Sequence, residues 1–170
     1  MFFPCPLGKF KLFPDEDFVV MTPVGKNPNW GAFVRQALKY LTQTAEFRRE
    51  LPRRQLNLRV ILEATDAKPP AFVEFRGESA SAGATTSEDA DDPSRWDVKV
   101  TGSSRDIFGL FLGTSGTLRP LLFRRVKVKK LVGALRMIHF VKLCQKVLQK
   151  NLPFATAVFE ATIGQFVDKP

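Results

Sequence analysis

Residues 96–113, WDVKVTGSSRDIFGLFLG, join a predicted strand to a predicted short helix through a polar turn. Trp96, Val98 and Val100 alternate with polar residues such as Lys99, which is the two-residue period of a half-buried strand with an outward polar face. One of the two serines after the strand can cap the helix, and a glycine can end it. Nearly every side chain between these caps is apolar, so we expect this helix to pack into an interior.

An amphipathic helix and two strands are predicted upstream of this stretch. Apolar residues recur at helical spacing from Trp30 until the chain meets Pro52, after a cap at Asn27. Apolar and polar residues then alternate over 56–63 and over 73–76, which predicts two strands.

Three further elements are predicted downstream: a short helical piece from Thr117, a strand over 126–129 and a long helix over 131–150. The lysines of the strand suit the edge of a sheet. The long helix carries apolar residues on one side and basic residues, together with His139, on the other. Residues 152–167 are mostly apolar, and their pattern leaves helix and strand open.

The length and composition predict one folded domain with flanking segments. The chain has 170 residues, and 44% of its side chains are hydrophobic, which is enough to fill one core. We predict a Phe-rich arm over 1–26, the folded domain over 27–151 and a C-terminal extension over 152–170. Residues 77–95 are small, polar and acidic, so we predict a solvated loop between two strands there.

The charge of the chain indicates a polyanionic partner. Twenty-six Lys and Arg residues against 17 Asp and Glu residues give a formal net charge of +9. No acidic residue lies between Asp106 and Glu160, whereas basic residues are frequent there. We expect an anionic membrane surface or an acidic protein as the partner; nucleic acid is a less favoured third. The residues expected to contact it are Arg124, Arg125, Lys127, Arg136, Lys142, Lys146 and Lys150.

Residues and motifs typical of catalytic sites are scarce in the sequence, so we do not expect an enzyme. His139 is the single histidine, and it lies among basic residues without a neighbouring carboxylate to orient it. The two cysteines, Cys5 and Cys144, form no CxxC pair. No phosphate-binding loop, dinucleotide fingerprint or metalloprotease motif is present, so we expect neither a metal nor a cofactor.

Bulky apolar side chains are concentrated after Gly102, on the predicted short helices and on one side of the long helix. Such a set either closes a core or lines a cavity, and periodicity alone leaves both open.

Residues 96–113, then LLFRRVKV over 121–128, then Gly133-Ala134-Leu135 opening a long helix, resemble the C-terminal half of the sterol carrier protein type 2 (SCP2) family. The helix and two strands upstream match the order of elements in that family, so the resemblance covers about residues 27–148. The chain departs from the family pattern at residues 129–132, where members usually carry a Gly-Asx or Gly-Ser turn, and in its acidic insertion and C-terminal extension.

This resemblance implies a fold and a function. The fold would be a single α+β domain, an antiparallel-rich sheet of about five strands covered by helices on one face. It would enclose an apolar tunnel for a sterol, a fatty acyl chain or an isoprenoid, bound and transferred without catalysis. The tunnel would be lined by Phe108, Phe111, Leu112, Leu121, Leu122, Phe123, Met137, Phe140, Val141 and Cys144. The basic residues would then dock the protein on anionic membranes.

A structural role is the main alternative to lipid carriage. In that hypothesis the domain is a non-catalytic subunit of a larger assembly, for example a mitochondrial one, and its own Phe side chains fill the interior. For either role we expect a cytoplasmic or mitochondrial location. Prolines and lysines interrupt any secretory signal near the N-terminus, and the C-terminal 168–170 is not a peroxisomal Ser-Lys-Leu address.

Overall fold

The computed structural model describes residues 29–113, 125–150 and 152–163. The helices are α1 (Trp30–Gln43), α2 (Ala45–Arg54), α3 (Ser87–Asp91), α4 (Ser104–Leu112), α5 (Leu131–Lys150) and α6 (Leu152–Ile163), with a 3-10 turn at Pro93–Arg95. The strands are β1 (Asn57–Ala64), β2 (Ala71–Arg76), β3 (Ser79–Ala84), β4 (Val98–Gly102) and β5 (Val126–Lys129). The helical piece predicted from Thr117 lies outside the described residues, whereas the undecided residues 152–163 are helical.

The five strands form one sheet in the order β3-β2-β1-β4-β5. β1 and β4 pair in parallel, with Leu62 opposite Val100, and the other neighbours pair antiparallel. The expected α+β class and the mostly antiparallel sheet are therefore confirmed. β5 lies at an edge, as its lysines predict.

The first helix of the domain is broken in two, so the prediction of one helix reaching to Pro52 is wrong. Thr44 makes the break because its hydroxyl donates to the Leu41 carbonyl oxygen (2.7 Å) and accepts from the Phe47 amide (3.3 Å). The same side chain thus ends α1 and caps α2. Pro52 lies inside α2, and the cap of α1 is Asn29 rather than Asn27.

The prediction of a loop over 77–95 is also wrong, because this segment contains β3, α3 and the 3-10 turn, although most of its residues are exposed, as predicted. Backbone pairing with β2 holds β3, and its small side chains let α1 come close. A Cβ added to Gly31 of α1 would lie 2.8 Å from the Cβ of Ala84. The small residues at this contact therefore allow close approach of α1, although within 77–95 only Gly83 and Ala90 are buried.

The two faces of the sheet are covered differently. α1, α4 and α5 pack on one face around the main core, which includes Val60, Val100 and Phe75. On the other face, Ala90 of α3 and Trp96 cover Ile61 in a smaller cluster. Helices thus cover one face of the sheet, as expected, and the short acidic helix α3 covers part of the other face.

Candidate functional site

A cavity of about 50 Å³ lies between α1, α4, α5 and the inner face of the sheet. Its lining consists of Trp30, Phe33, Val34, Ala37, Leu38, Leu41, Leu62, Val73, Phe108, Phe111, Phe140, Cys144 and Leu148. The Trp30 indole nitrogen donates to the Leu62 carbonyl oxygen at 3.0 Å, so its polar group is already bonded within the wall. With no charged or amide side chain in the lining, the cavity can hold hydrocarbon but offers little to a polar group.

Aromatic rings form much of the wall. The ring of Phe33 is stacked with that of Trp30 and meets that of Phe108 edge-on, with both pairs of centroids 5.3 Å apart. Phe159 of α6 lies parallel to Phe108, with centroids 4.5 Å apart, and closes this side. On the other side, Phe111 and Phe140 have centroids 5.7 Å apart. Rings at these distances are in mutual contact, so aromatic packing closes much of the cavity wall.

Polar contacts at both ends of α4 hold its aromatic side chains in place. At the start of the helix, Asp66 accepts from the Ser104 amide (2.7 Å) and hydroxyl (2.9 Å). At its end, the side-chain amides of Gln145 and Gln149 donate to carbonyl oxygens of the last turn, at 2.8 and 3.1 Å. These bonds satisfy groups that a helix end leaves unpaired, and they tie α4 to α5 across the cavity.

Cys144 is a free cysteine in the cavity wall, and it is buried. Desolvation raises the pKa of its thiol well above the usual value, so the group stays protonated at neutral pH. A protonated, enclosed thiol behaves as a small apolar side chain.

The predicted basic residues separate into two sets. Arg125, Lys127, Arg136 and Lys142 are exposed and have no acidic partner in the part of the chain that the structure describes. Arg124 lies outside that part.

The second set is already paired. The ammonium groups of Lys146 and Lys150 lie 2.7 and 2.9 Å from the carboxylate of Glu46 on α2. Hydrogen bonds from the two lysines lower the pKa of Glu46 to about 2, and the bond from Lys146 has the largest effect. Lys146 and Lys150 are therefore less available to an external anion than the unpaired residues.

Lys99 is buried, which contradicts its prediction as part of an outward polar face. Only 4% of the residue is exposed, and its ammonium lies 3.0 Å from Glu63 and 2.9 Å from Asp91. Burial acts to lower the pKa of Lys99, but the hydrogen bonds to the two carboxylates outweigh it and the pKa is raised. Asp91 belongs to α3, so the ion pair between Asp91 and Lys99 attaches α3 to the sheet.

Comparison with solved structures identifies the fold. A structure named UbiJ-SCP2 ubiquinone synthesis protein has a TM-score of 0.50 at 13% identity, covering 68% of this chain and 88% of that chain. The chain has an SCP2-like fold. The sterol carrier protein domain 2 of Helicoverpa armigera gives 0.48 at 15% identity, over 72% and 96% of the chains. Sterol carrier protein 2 of Yarrowia lipolytica gives 0.41 at 16%, over 67% and 88%. Neither models of protein families nor curated proteins match the chain.

The SCP2-like domain brings some of the predicted ligand residues together. Phe108, Phe111, Phe140 and Cys144 line the cavity. Three others, Leu112, Met137 and Val141, are buried but do not line it, and Leu121, Leu122 and Phe123 lie outside the described residues. A ligand role for all ten stays a prediction.

Sequence reasoning missed the contribution of α1 to this wall. The helix supplies six lining residues, among them Phe33 and Leu38, and the sheet adds Leu62 and Val73. The helical spacing of α1 and the alternation of the strands mark these residues as inward-facing. Their pattern does not tell which inward residues meet the long helix.

Membrane-spanning helices and metal-binding clusters are both absent from the described residues. None of the helices described is long and apolar enough to cross a bilayer. The same residues contain no group of three or more His, Cys, Asp or Glu side chains that could hold a metal ion.

Proposed function

We propose that this SCP2-like domain binds the hydrocarbon part of a lipid in the cavity, without catalysis. The observation that carries the proposal is the apolar lining, assembled from three helices and the sheet. Each methylene moved from water into such a site gains about 0.8 kcal/mol, so a chain of about a dozen carbons gains roughly 10 kcal/mol before the cost of association is subtracted.

The lining also defines the class of ligand. The Trp30 indole is hydrogen-bonded to Leu62 and the Cys144 thiol is protonated. The cavity lining therefore offers no charged group to a lipid headgroup. We therefore assign the buried part to an alkyl, isoprenoid or sterol moiety, with any polar headgroup outside. The SCP2-like fold of a ubiquinone synthesis protein supports an isoprenoid among these ligands.

A structural role is the second candidate, and the volume of the cavity favours it. Pockets that hold drug-sized ligands measure about 300–1,000 Å³, whereas the described cavity measures about 50 Å³. Lipid binding therefore requires the wall to open. Phe111 is half-buried at the rim of the aromatic wall, so it is the ring that we expect to move first.

The experiment measures lipid uptake by delipidated protein. Wild-type protein is mixed with a fluorescent fatty acid, and bound lipid is counted by native mass spectrometry. Phe111→Asp places a carboxylate in the cavity wall and is expected to abolish uptake, since the charge favours water in place of hydrocarbon. Ala45→Asp adds the same group at an exposed position and is the matched control.

The two candidate functions predict different results. Uptake by wild type and by Ala45→Asp but not by Phe111→Asp supports lipid binding in this cavity. Failure of wild type to take up a fatty acid, an isoprenoid quinone or a sterol contradicts it and leaves the structural role. In that role, deletion of residues 1–17 is expected to detach a folded domain from its assembly, which co-purification measures.

Membrane docking and location complete the proposal. We place docking on the unpaired basic residues Arg125, Lys127, Arg136 and Lys142, each worth about 1 kcal/mol close to an anionic surface. The membranes concerned would be those facing the cytoplasm or inside mitochondria.

A further inference from the structure

Two large apolar side chains of α5 are exposed to solvent. Val132 is 73% exposed and Leu135 is 58% exposed, whereas the other large apolar side chains whose burial is described are shielded to a greater degree. They are three residues apart in the first turns of the helix and therefore lie on the same side of it. Contact of two neighbouring apolar side chains with water is unfavourable, and burying them against a binding partner would remove that unfavourable contact.

Basic side chains share this side of the helix. Arg136 follows Val132 by four residues, and His139 and Lys142 continue the same face, all of them exposed. One turn further on, Lys146 is held by Glu46. The unpaired charges on this face, Arg136 and Lys142, thus lie in the early and middle turns of α5, next to the two apolar side chains.

We propose that the surface of α5 over residues 132–142 docks on an anionic bilayer, with Val132 and Leu135 inserted among the lipid headgroups and Arg136 and Lys142 on the phosphates. The inference rests on the proposed lipid function and adds a hydrophobic anchor to it. Aliphatic side chains flanked by cations match a membrane interface, where both acyl chains and anionic groups are within reach. A nucleic acid backbone would use the cations but not the aliphatic pair.

The opposite face of the same helix lines the cavity through Phe140 and Cys144. Docking on this surface therefore brings the cavity within one helix diameter, about 10 Å, of the headgroups.

The test is binding to phosphatidylcholine vesicles that contain about 30% phosphatidylserine, measured by flotation with the full chain. The variant Val132→Ser/Leu135→Ser is expected to bind at least about tenfold more weakly, since it loses the insertion of two aliphatic side chains. Lys146→Gln/Lys150→Gln is the control for charge, and it is expected to bind within about threefold of wild type because Glu46 already holds both lysines. Both pairs are exposed, so thermal unfolding is expected to show that the variants fold.

A second measurement reads the insertion directly. Leu135→Trp adds an exposed indole to a protein whose Trp30 and Trp96 are buried, so its emission is expected to shift to the blue on these vesicles. Serine variants that bind as tightly as wild type, or an unshifted emission, overturn the anchor. Wild type that does not bind at all overturns docking, while lipid uptake in solution tests the cavity separately.

Discussion

Replacing Phe159 by Ala tests whether α6 belongs to the folded core. The residue is only 5% exposed, and its ring contacts the rings of Phe108 and Phe33, with centroids 4.5 and 5.2 Å away. Removing a buried Phe side chain costs about 3–5 kcal/mol through lost transfer energy and the void left behind. We expect the free energy of unfolding to fall by about 4 kcal/mol, since both neighbouring rings lose a partner.

Equilibrium unfolding in urea, followed by circular dichroism, measures this loss. Glu160→Ala is the matched control, because it changes the next residue of α6 at an exposed position and is expected to cost about 0.5 kcal/mol or less. A fall in the free energy of unfolding of less than about 1 kcal/mol in Phe159→Ala would refute the reasoning, because removing a buried ring with these contacts is expected to destabilise the fold by more than that.

The same variant also tests the cavity. The space left by the Phe159 ring adjoins Phe33 and Phe108, so the cavity grows toward α6. Benzene present at about one hundred times its dissociation constant is expected to restore about 2.7 kcal/mol to the variant, and less to wild type. Equal effects of benzene on both proteins would show that the void does not join the cavity.

Three further predictions concern the contacts around the site. Lys99→Ala is expected to lower the free energy of unfolding by about 1–2 kcal/mol. Lys99→Met is expected to lower it by less than half of that, because methionine keeps the buried aliphatic stem of the side chain. Urea unfolding measures both variants. The pKa of Glu46 is about 2 in the folded protein against 4.5 ordinarily, so its stabilising contribution is fully present above pH 4.5 and is lost as the pH falls toward 2. The difference in urea midpoint between wild type and Glu46→Gln is therefore expected to shrink over that range. Gly133→Ala is expected to cost about 3 kcal/mol in urea unfolding, since the added methyl group would collide with the Asp97 carbonyl oxygen.

Each of these predictions has an outcome that contradicts it. Equal losses in Lys99→Ala and Lys99→Met would mean that the charge, and not the stem, carries the effect. A midpoint difference for Glu46→Gln that stays constant from pH 5 to pH 2 would contradict the ion pairs with α5. For the glycine, a neutral Gly133→Ala would mean that α5 lies further from β4 than the structure places it.

The parts of the fold that local pattern encodes were predictable from the sequence. β1, β2 and β4 alternate in hydrophobicity, and α4 carries its own cap in Ser103 and its own stop in Gly113, whose φ of 73° favours glycine. β3 was missed because its serine, alanine and glycine residues have low strand propensity and little apolar surface, and pairing with β2 makes them a strand.

The parts that depend on distant partners were not predictable. Lys99 looks like a surface lysine until Glu63 and Asp91 are placed beside it, and no pattern within β4 reports them. The contribution of α1 to the cavity has the same origin, because its inward residues were recognisable while their neighbours on α5 were not. The volume of the cavity follows from how these side chains interlock, which composition does not encode.

The ion pairs of α5 locate the docking surface, which charge alone cannot do. In the sequence, basic residues continue along the whole helix, so attraction to an anion would be spread over its length. Glu46 holds Lys146 and Lys150 and thereby offsets charge in the C-terminal half. What remains unpaired lies beside Val132 and Leu135, so electrostatic attraction and apolar insertion act at the same place. Glu46→Gln releases the two lysines and is therefore expected to strengthen vesicle binding and to make it less dependent on the aliphatic pair, which flotation of Glu46→Gln with and without the serine substitutions measures.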